Sequence, residues 1–225
     1  MDYIDTLELE LIRNANAKVA QQQKAYMRGQ FDYYGIKATQ RKELQKPFLI
    51  KAFLPDKSEL ERMVKILWKK PQREFQYFAQ ELAFRYVKQP ALEDIQLYEF
   101  MVKHKSWWDT VDFIANKLMG AYFKHYPAQR EPYVNKWLAS NNIWLQRSAL
   151  LFQLKYKKDL DRALLSATIH PLLGSNEFFI NKAIGWVLRE YSRVNPEWVI
   201  EFSNKTTLSP LSKKEALRLI PQGNL

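Results

Sequence analysis

Apolar residues recur along this chain at intervals of three and four, as in Leu60, Met63, Val64 and Leu67, and again in Phe75, Phe78, Ala79, Leu82 and Ala83. That spacing gathers them on one side of a helix and marks an amphipathic helical segment. No sustained apolar–polar alternation marks a strand, and Asn-Gly and Asp-Gly hairpin signals are absent. Pro55, Pro71, Pro90, Pro127, Pro171, Pro196 and Pro210 fall between the apolar segments and punctuate them. Gly120, Gly174 and Gly223 read as segment ends. The pattern predicts an all-α chain with about a dozen helices of ordinary length.

The helices repeat. Pro71, Ser106, Asn141, Asn176 and Leu211 stand 35 residues apart, and most of them, or the neighbours Ser175 and Ser212, are good N-cap or first-turn residues. Eight positions after each origin come Ala79, Ile114, Ala149, Ile184 and Leu219, all apolar. Helix pairs are therefore expected near 58–88, 91–125, 128–157, 160–191 and 195–220. A pair every 35 residues is the arithmetic of an α-solenoid of HEAT-like helix pairs, slightly short of the usual period. Helices starting near 72, 107, 142 and 176 would line its concave side. The alternative is a helical bundle with accidental spacing, and the apolar column argues against it. Residues 1–57 hold two further segments, about 3–25 and 39–54, that would cap the array. The whole chain, 1–225, then reads as a single domain.

Composition narrows the chemistry. The 225 residues carry 35 Lys and Arg against 24 Asp and Glu, a formal charge of +11, and 47% hydrophobic residues exclude a mostly disordered chain. There is no cysteine, which removes thiolate nucleophiles and thiolate metal sites. His104, His125 and His170 form no HExxH-like pair, so neither a metal nor another cofactor is expected. The acidic start MDYIDTLELE is unlike a signal peptide, and apolar runs such as Ala183 to Leu188 are too short to span a bilayer. A cytoplasmic protein without membrane association is expected. The charge suggests a polyanion partner, nucleic acid first, against the alternative of a merely basic solvated surface.

Six positions after each origin stand Tyr77, Asp112, Arg147, Lys182 and Leu217, about 200° around the helix from the apolar column. Trp108 shares the face of Asp112, four residues before it, and Trp186 follows Lys182 by four. Arg189 and Arg193 continue the Lys182 face, and Lys155 continues that of Arg147. Trp68, Trp137, Trp144 and Trp198 are assigned to packing. A carboxylate among cations repels a phosphate ligand, which argues for a positive task such as stabilising a cation. Ser106 to Asp109 has the spacing of a capping box, so Asp109 takes the structural role and Asp112 the chemical one.

The stretch Ser106-Trp107-Trp108-Asp109-Thr110-Val111-Asp112, with Gln146-Arg147 and Lys182-Ala183-Ile184-Gly185-Trp186-Val187-Leu188-Arg189-Glu190-Tyr191, resembles the AlkD-like DNA alkylation repair family. These are HEAT-like-repeat DNA glycosylases, and the resemblance extends over essentially the whole chain, including Tyr26 and Phe31 to Ile36. It implies excision of N3- and N7-alkylated purines from double-stranded DNA. It also implies that Asp112 is the catalytic aspartate, that Trp108 and Trp186 face the sugar, and that Arg147 contacts the backbone. Tyr26 matches an aromatic near the same site. Lys155, Arg189 and Arg193 are expected to join Arg147 on phosphates, without reading sequence. Lys182, wet and beside a carboxylate, is expected to stay protonated, which gives a monofunctional rather than a lyase enzyme. A monomer is expected. Two rival readings use the same fold: a non-catalytic nucleic-acid-binding solenoid and a protein-interaction scaffold.

Overall fold

The computed structural model describes residues 2–221, and among them no strand forms; Asp32 and Gln72 make an isolated bridge. Packing divides the chain into two units, Met1–Gln89 and Pro90–Leu225. The first holds α1 (Tyr3–Arg13), α2 (Ala17–Tyr26), α3 (Ala38–Gln45), α4 (Leu60–Lys69) and α5 (Arg73–Phe84). The apolar stripes of α4 and α5 that the sequence displays are all buried, and the two helices pack on each other.

Two boundaries differ from expectation. The segment 3–25 is not one helix, because the Asn16 side chain accepts from the Val19 N–H and starts α2 afresh. The segment 39–54 is α-helical only to Gln45. Pro47 cannot donate an N–H, and the chain continues as short 3₁₀ turns, Lys46–Leu49 and Lys51–Phe53. Between α2 and α3 the loop is held by Glu74, whose buried carboxylate accepts from the N–H groups of Tyr34, Gly35 and Ile36 at 3.1, 3.0 and 3.3 Å.

The second unit contains α6 (Asp94–Lys103), α7 (Trp108–Phe113), a π-helical segment Ile114–Met119, α8 (Gly120–His125), α9 (Arg130–Ala139) and α10 (Ile143–Leu151). It continues with α11 (Arg162–Ile169), α12 (Phe178–Ser192), α13 (Pro196–Lys205) and α14 (Pro210–Ala216). Helix α10 packs against α7, α9 and α12, and α12 packs against α13 and α14. Helices α7, α10, α12 and α14 are thus successive neighbours in one row, the succession of an α-solenoid. The starts at Arg73, Trp108, Ile143 and Phe178 lie within two residues of those expected.

The apolar column is buried at Ala79, Ile114, Ala149 and Ile184 but not at Leu219. Helix α14 ends at Ala216, the turn that follows changes the phase, and Ile220 is buried instead. Gly120 is not a segment end. It lies inside a continuous helical run, where a Cβ would come within 2.8 Å of the Phe152 carbonyl oxygen. Gly174 does sit at a turn, with φ +78°, and Gly223 lies outside the described residues.

Helices α12 and α14 approach each other closely at Gly185. A Cβ on Gly185 would stand 2.5 Å from the Glu215 Cβ and 2.9 Å from the Ser212 carbonyl oxygen. The Ser212 hydroxyl donates to the Asn181 carbonyl at 2.8 Å and fixes the same contact. Gly185→Ala should therefore overpack this interface and lower stability by roughly 1–3 kcal/mol. The urea midpoint should fall while the denaturant slope stays constant.

Candidate functional site

Helix α7 begins one residue later than a capping box requires. Trp107, with φ −159°, occupies the N-cap position, and the Ser106 hydroxyl donates instead to the Val102 carbonyl at 2.5 Å. The expected pairing of Ser106 with Asp109 is therefore not formed. Asp109 lies in the first turn of α7, where a negative charge suits the helix dipole. Asp112 follows at the far end of α7, where the bonding pattern widens into the π segment. The Asn116 side-chain amide donates to the Asp112 backbone carbonyl across that wide turn. Such π segments are frequent at functional sites.

Arg147, from α10, meets Asp112 face to face. Its Nε donates to Oδ1 at 2.7 Å and its Nη2 to Oδ2 at 2.9 Å, a bidentate pair. Nη1 donates to the Phe179 carbonyl at 2.5 Å, which ties the pair to α12. The Arg147 side chain is 6% exposed and that of Asp112 15%. Three aromatic rings cluster at the same helix junction: Trp107 lies 5.6 Å from Trp144 and 5.3 Å from Phe179 between ring centres. Burial pushes the Asp112 carboxyl above its ordinary value; the hydrogen bonds and charge of Arg147 oppose the rise, and the nearby Asp109 adds to it.

Beside this pair opens a cavity of about 270 Å³. Its aromatic walls are Trp108, Phe178, Phe179 and Trp186, and its polar lining is Arg147, Lys182, Arg189 and Glu215. Trp108, Arg147, Lys182, Trp186 and Arg189 are thus brought together as the sequence predicts, with Asp112 held by Arg147. Lys155 and Arg193 are not among the lining residues. Both pair with Glu190, at 2.9 and 3.5 Å. Tyr26 ends α2 in the first unit and is largely exposed.

Two carboxylates escaped the sequence reading. Glu215 accepts from Lys182 at 2.7 Å and also from Arg189, and Glu190 holds Lys155 and Arg193. The repeat carried a signal for one of them, since Glu190 stands one period of 35 after Lys155. The Lys182 ammonium bonded to Glu215 keeps that carboxyl below its usual range against partial burial, helped by the charges of Lys182 and Arg189. Of the tryptophans assigned to packing, Trp68 and Trp137 are buried, Trp144 joins the aromatic cluster, and Trp198 stacks on Phe202. Among the described residues no group of three His, Cys, Asp or Glu side chains is placed to hold a metal ion, and no helix is long and apolar enough to cross a membrane.

A row of stacked helices that presents a buried carboxylate–guanidinium pair beside a cationic, aromatic cavity defines a built site on an all-α scaffold. The family model for DNA alkylation repair enzymes matches residues 7–220, and the chain belongs to that family. A solved structure described as a predicted DNA alkylation repair enzyme from Enterococcus faecalis is similar to this chain. The two share 34% identity over 92% of this chain and 97% of that one, with a TM-score of 0.86. No curated protein matches.

Arg147→Met removes both groups' worth of opposition to Asp112 burial: the hydrogen bonds and the positive charge. The Asp112 carboxyl should then titrate higher still, as read by carboxyl carbon NMR. Its ordinary value is 3.8. A carboxyl that titrates higher folded than unfolded favours folding only when protonated. The stability deficit of Arg147→Met should therefore be small in acid and grow as pH rises through the Asp112 pKa, reaching about 3–5 kcal/mol near neutrality in urea unfolding.

Proposed function

We propose that this DNA repair protein is a monofunctional glycosylase that hydrolyses the N-glycosidic bond of N3- and N7-alkylated purines in double-stranded DNA. The observation that carries the reading is the Asp112–Arg147 pair, held in fixed orientation beside a cavity walled by Trp108 and Trp186. In this reading the duplex lies along the row α7, α10, α12 and α14, which forms a concave basic groove. The protein works as a cytoplasmic monomer on intact DNA strands and needs no cofactor.

The chemistry follows from where charge moves. Alkylation at N3 or N7 leaves the purine cationic, so it departs without being protonated and no general acid is needed. As the bond from C1′ to nitrogen breaks, its electron pair neutralises the base and the sugar becomes an oxocarbenium-like cation. The Asp112 carboxylate lowers the energy of that cation and orients the water that adds to C1′, taking up its proton or passing it to solvent. The electron-rich faces of Trp108 and Trp186 favour the same cation by ~0.5–2 kcal/mol each. Arg147 has five N–H donors, and three are committed to Asp112 and Phe179. In this mechanism it acts first as the residue that positions Asp112, and its remaining donors reach a phosphate at the cavity. Lys155, Lys182, Arg189 and Arg193 make further contacts to the sugar–phosphate backbone.

Single-turnover excision from an N7-methylguanine duplex tests the reading. Asp112→Asn should slow base release by about 10²–10³ while folding and duplex binding survive. Wild-type excision by that variant would remove Asp112 from the chemistry. Binding without release by the wild type would select the non-catalytic nucleic-acid-binding reading, and no binding at all the scaffold. Borohydride should trap no covalent enzyme–DNA adduct.

The pH profile adds a second check. Because burial raises the Asp112 carboxyl, the acid limb of the rate should lie above the ordinary carboxylate range. Asp109→Asn should stay active and move that limb to lower pH, since Asp109 contributes to the rise.

A further inference from the structure

We infer that Glu215 is a built-in competitor for DNA phosphate: it occupies Lys182 and Arg189 in the free protein and yields them to the backbone when duplex binds, which weakens the grip on undamaged DNA. The inference rests on the reading of the cavity as a DNA site.

The placement of Glu215 is specific. Lys182, Gly185 and Arg189 follow one another at three and four along α12 and so share one face. Gly185 leaves a gap in that face. The absence of a side chain there lets α14 approach until the Glu215 Cβ would stand 2.5 Å from a Cβ on residue 185. The carboxylate therefore enters between the two cations and accepts from both. It is 14% exposed, whereas Lys182 and Arg189 keep 37% and 21% of their side chains exposed and both line the cavity.

One carboxylate shared by two cations leaves a local charge of plus one, carried by side chains already gathered and oriented by an anion. That is the arrangement a phosphate oxygen needs, with a carboxylate standing in its place. A merely structural bridge between α12 and α14 would need only one of the two cations, and the Ser212–Asn181 hydrogen bond already joins these helices. The exchange of one anion for another lets the cations stay ordered without DNA, and it subtracts the strength of two ion pairs from every encounter with duplex. The penalty falls on every duplex alike, so it lowers the background affinity for DNA and the time spent bound to it.

The test compares the wild type with Glu215→Gln, which keeps the shape and removes the charge, on a short undamaged duplex labelled for fluorescence anisotropy. Glu215→Gln should bind about tenfold tighter at low salt, and its log–log salt slope should steepen by up to about one, since more cationic charge is available to phosphates. The variant should also dissociate more slowly from undamaged duplex when chased with unlabelled duplex, and an unchanged dissociation rate would count against the exchange. A structural bridge would instead lower the unfolding midpoint and leave the salt slope alone.

If the wild type binds and a folded Glu215→Gln binds no tighter, the inference is overturned while the reading of the site stands. If neither protein binds duplex, both fall. Should the variant not fold, the wild type gives the answer. On addition of undamaged duplex the Glu215 carboxyl carbon and Lys182 Nζ resonances should both move, and resonances that stay in place would overturn the exchange.

Discussion

The candidate site depends on one buried ion pair. Asp112 and Arg147 come from neighbouring helices of the row, and each would be costly alone in that setting: a carboxylate with no counter-charge or a guanidinium with no acceptor. Together they satisfy each other through two parallel hydrogen bonds, and the third bond from Arg147, to the Phe179 carbonyl, carries the constraint on to α12. Three helices are thereby held around one carboxylate. Preorganisation of this kind matters for electrostatic catalysis, since a charge that is already oriented need not reorganise as the reaction proceeds.

Much of this was legible in the sequence because it is periodic. The spacing of 35 residues located the helix pairs and put Asp112, Arg147 and Lys182 in one row, and the first two do touch across adjacent helices. Departures occurred where local chemistry overrides the period. Asn16 splits a run that looks continuous, Pro47 turns a helix into 3₁₀ segments, and Ser106 prefers the Val102 carbonyl to its own helix start. The site's carboxylates were less visible. Glu215 lies in α14, at the last and least regular repeat, and its place against α12 depends on the missing side chain of Gly185, which no pattern of hydrophobic residues encodes.

The charge balance also looks different in three dimensions. A surplus of eleven positive charges suggests a surface of free cations. Around the site, however, Lys155 and Arg193 share Glu190, and Lys182 and Arg189 share Glu215. The local field is a row of triads, each with a single net positive charge, rather than a uniform basic strip. Such triads hold long side chains in place before any ligand arrives, and that reduces the entropy lost when they engage an anion.

The π segment between α7 and α8 fixes something further: the angular relation between two faces of one continuous helical run. A turn closed by i→i+5 bonds holds an extra residue, and each residue in a helix is worth about 100° of rotation. Upstream of the segment, Trp108 lines the cavity and Asp112 meets Arg147; downstream, Tyr122 and Phe123 are turned into the core. The wide turn lets both sets face their own surroundings. Residues Ile114–Met119 act as a phase shifter, so the length of this stretch is as much a part of the site as the identity of Asp112. Loss of a single residue there would leave every side chain of the site present and swing the aspartate away from its arginine.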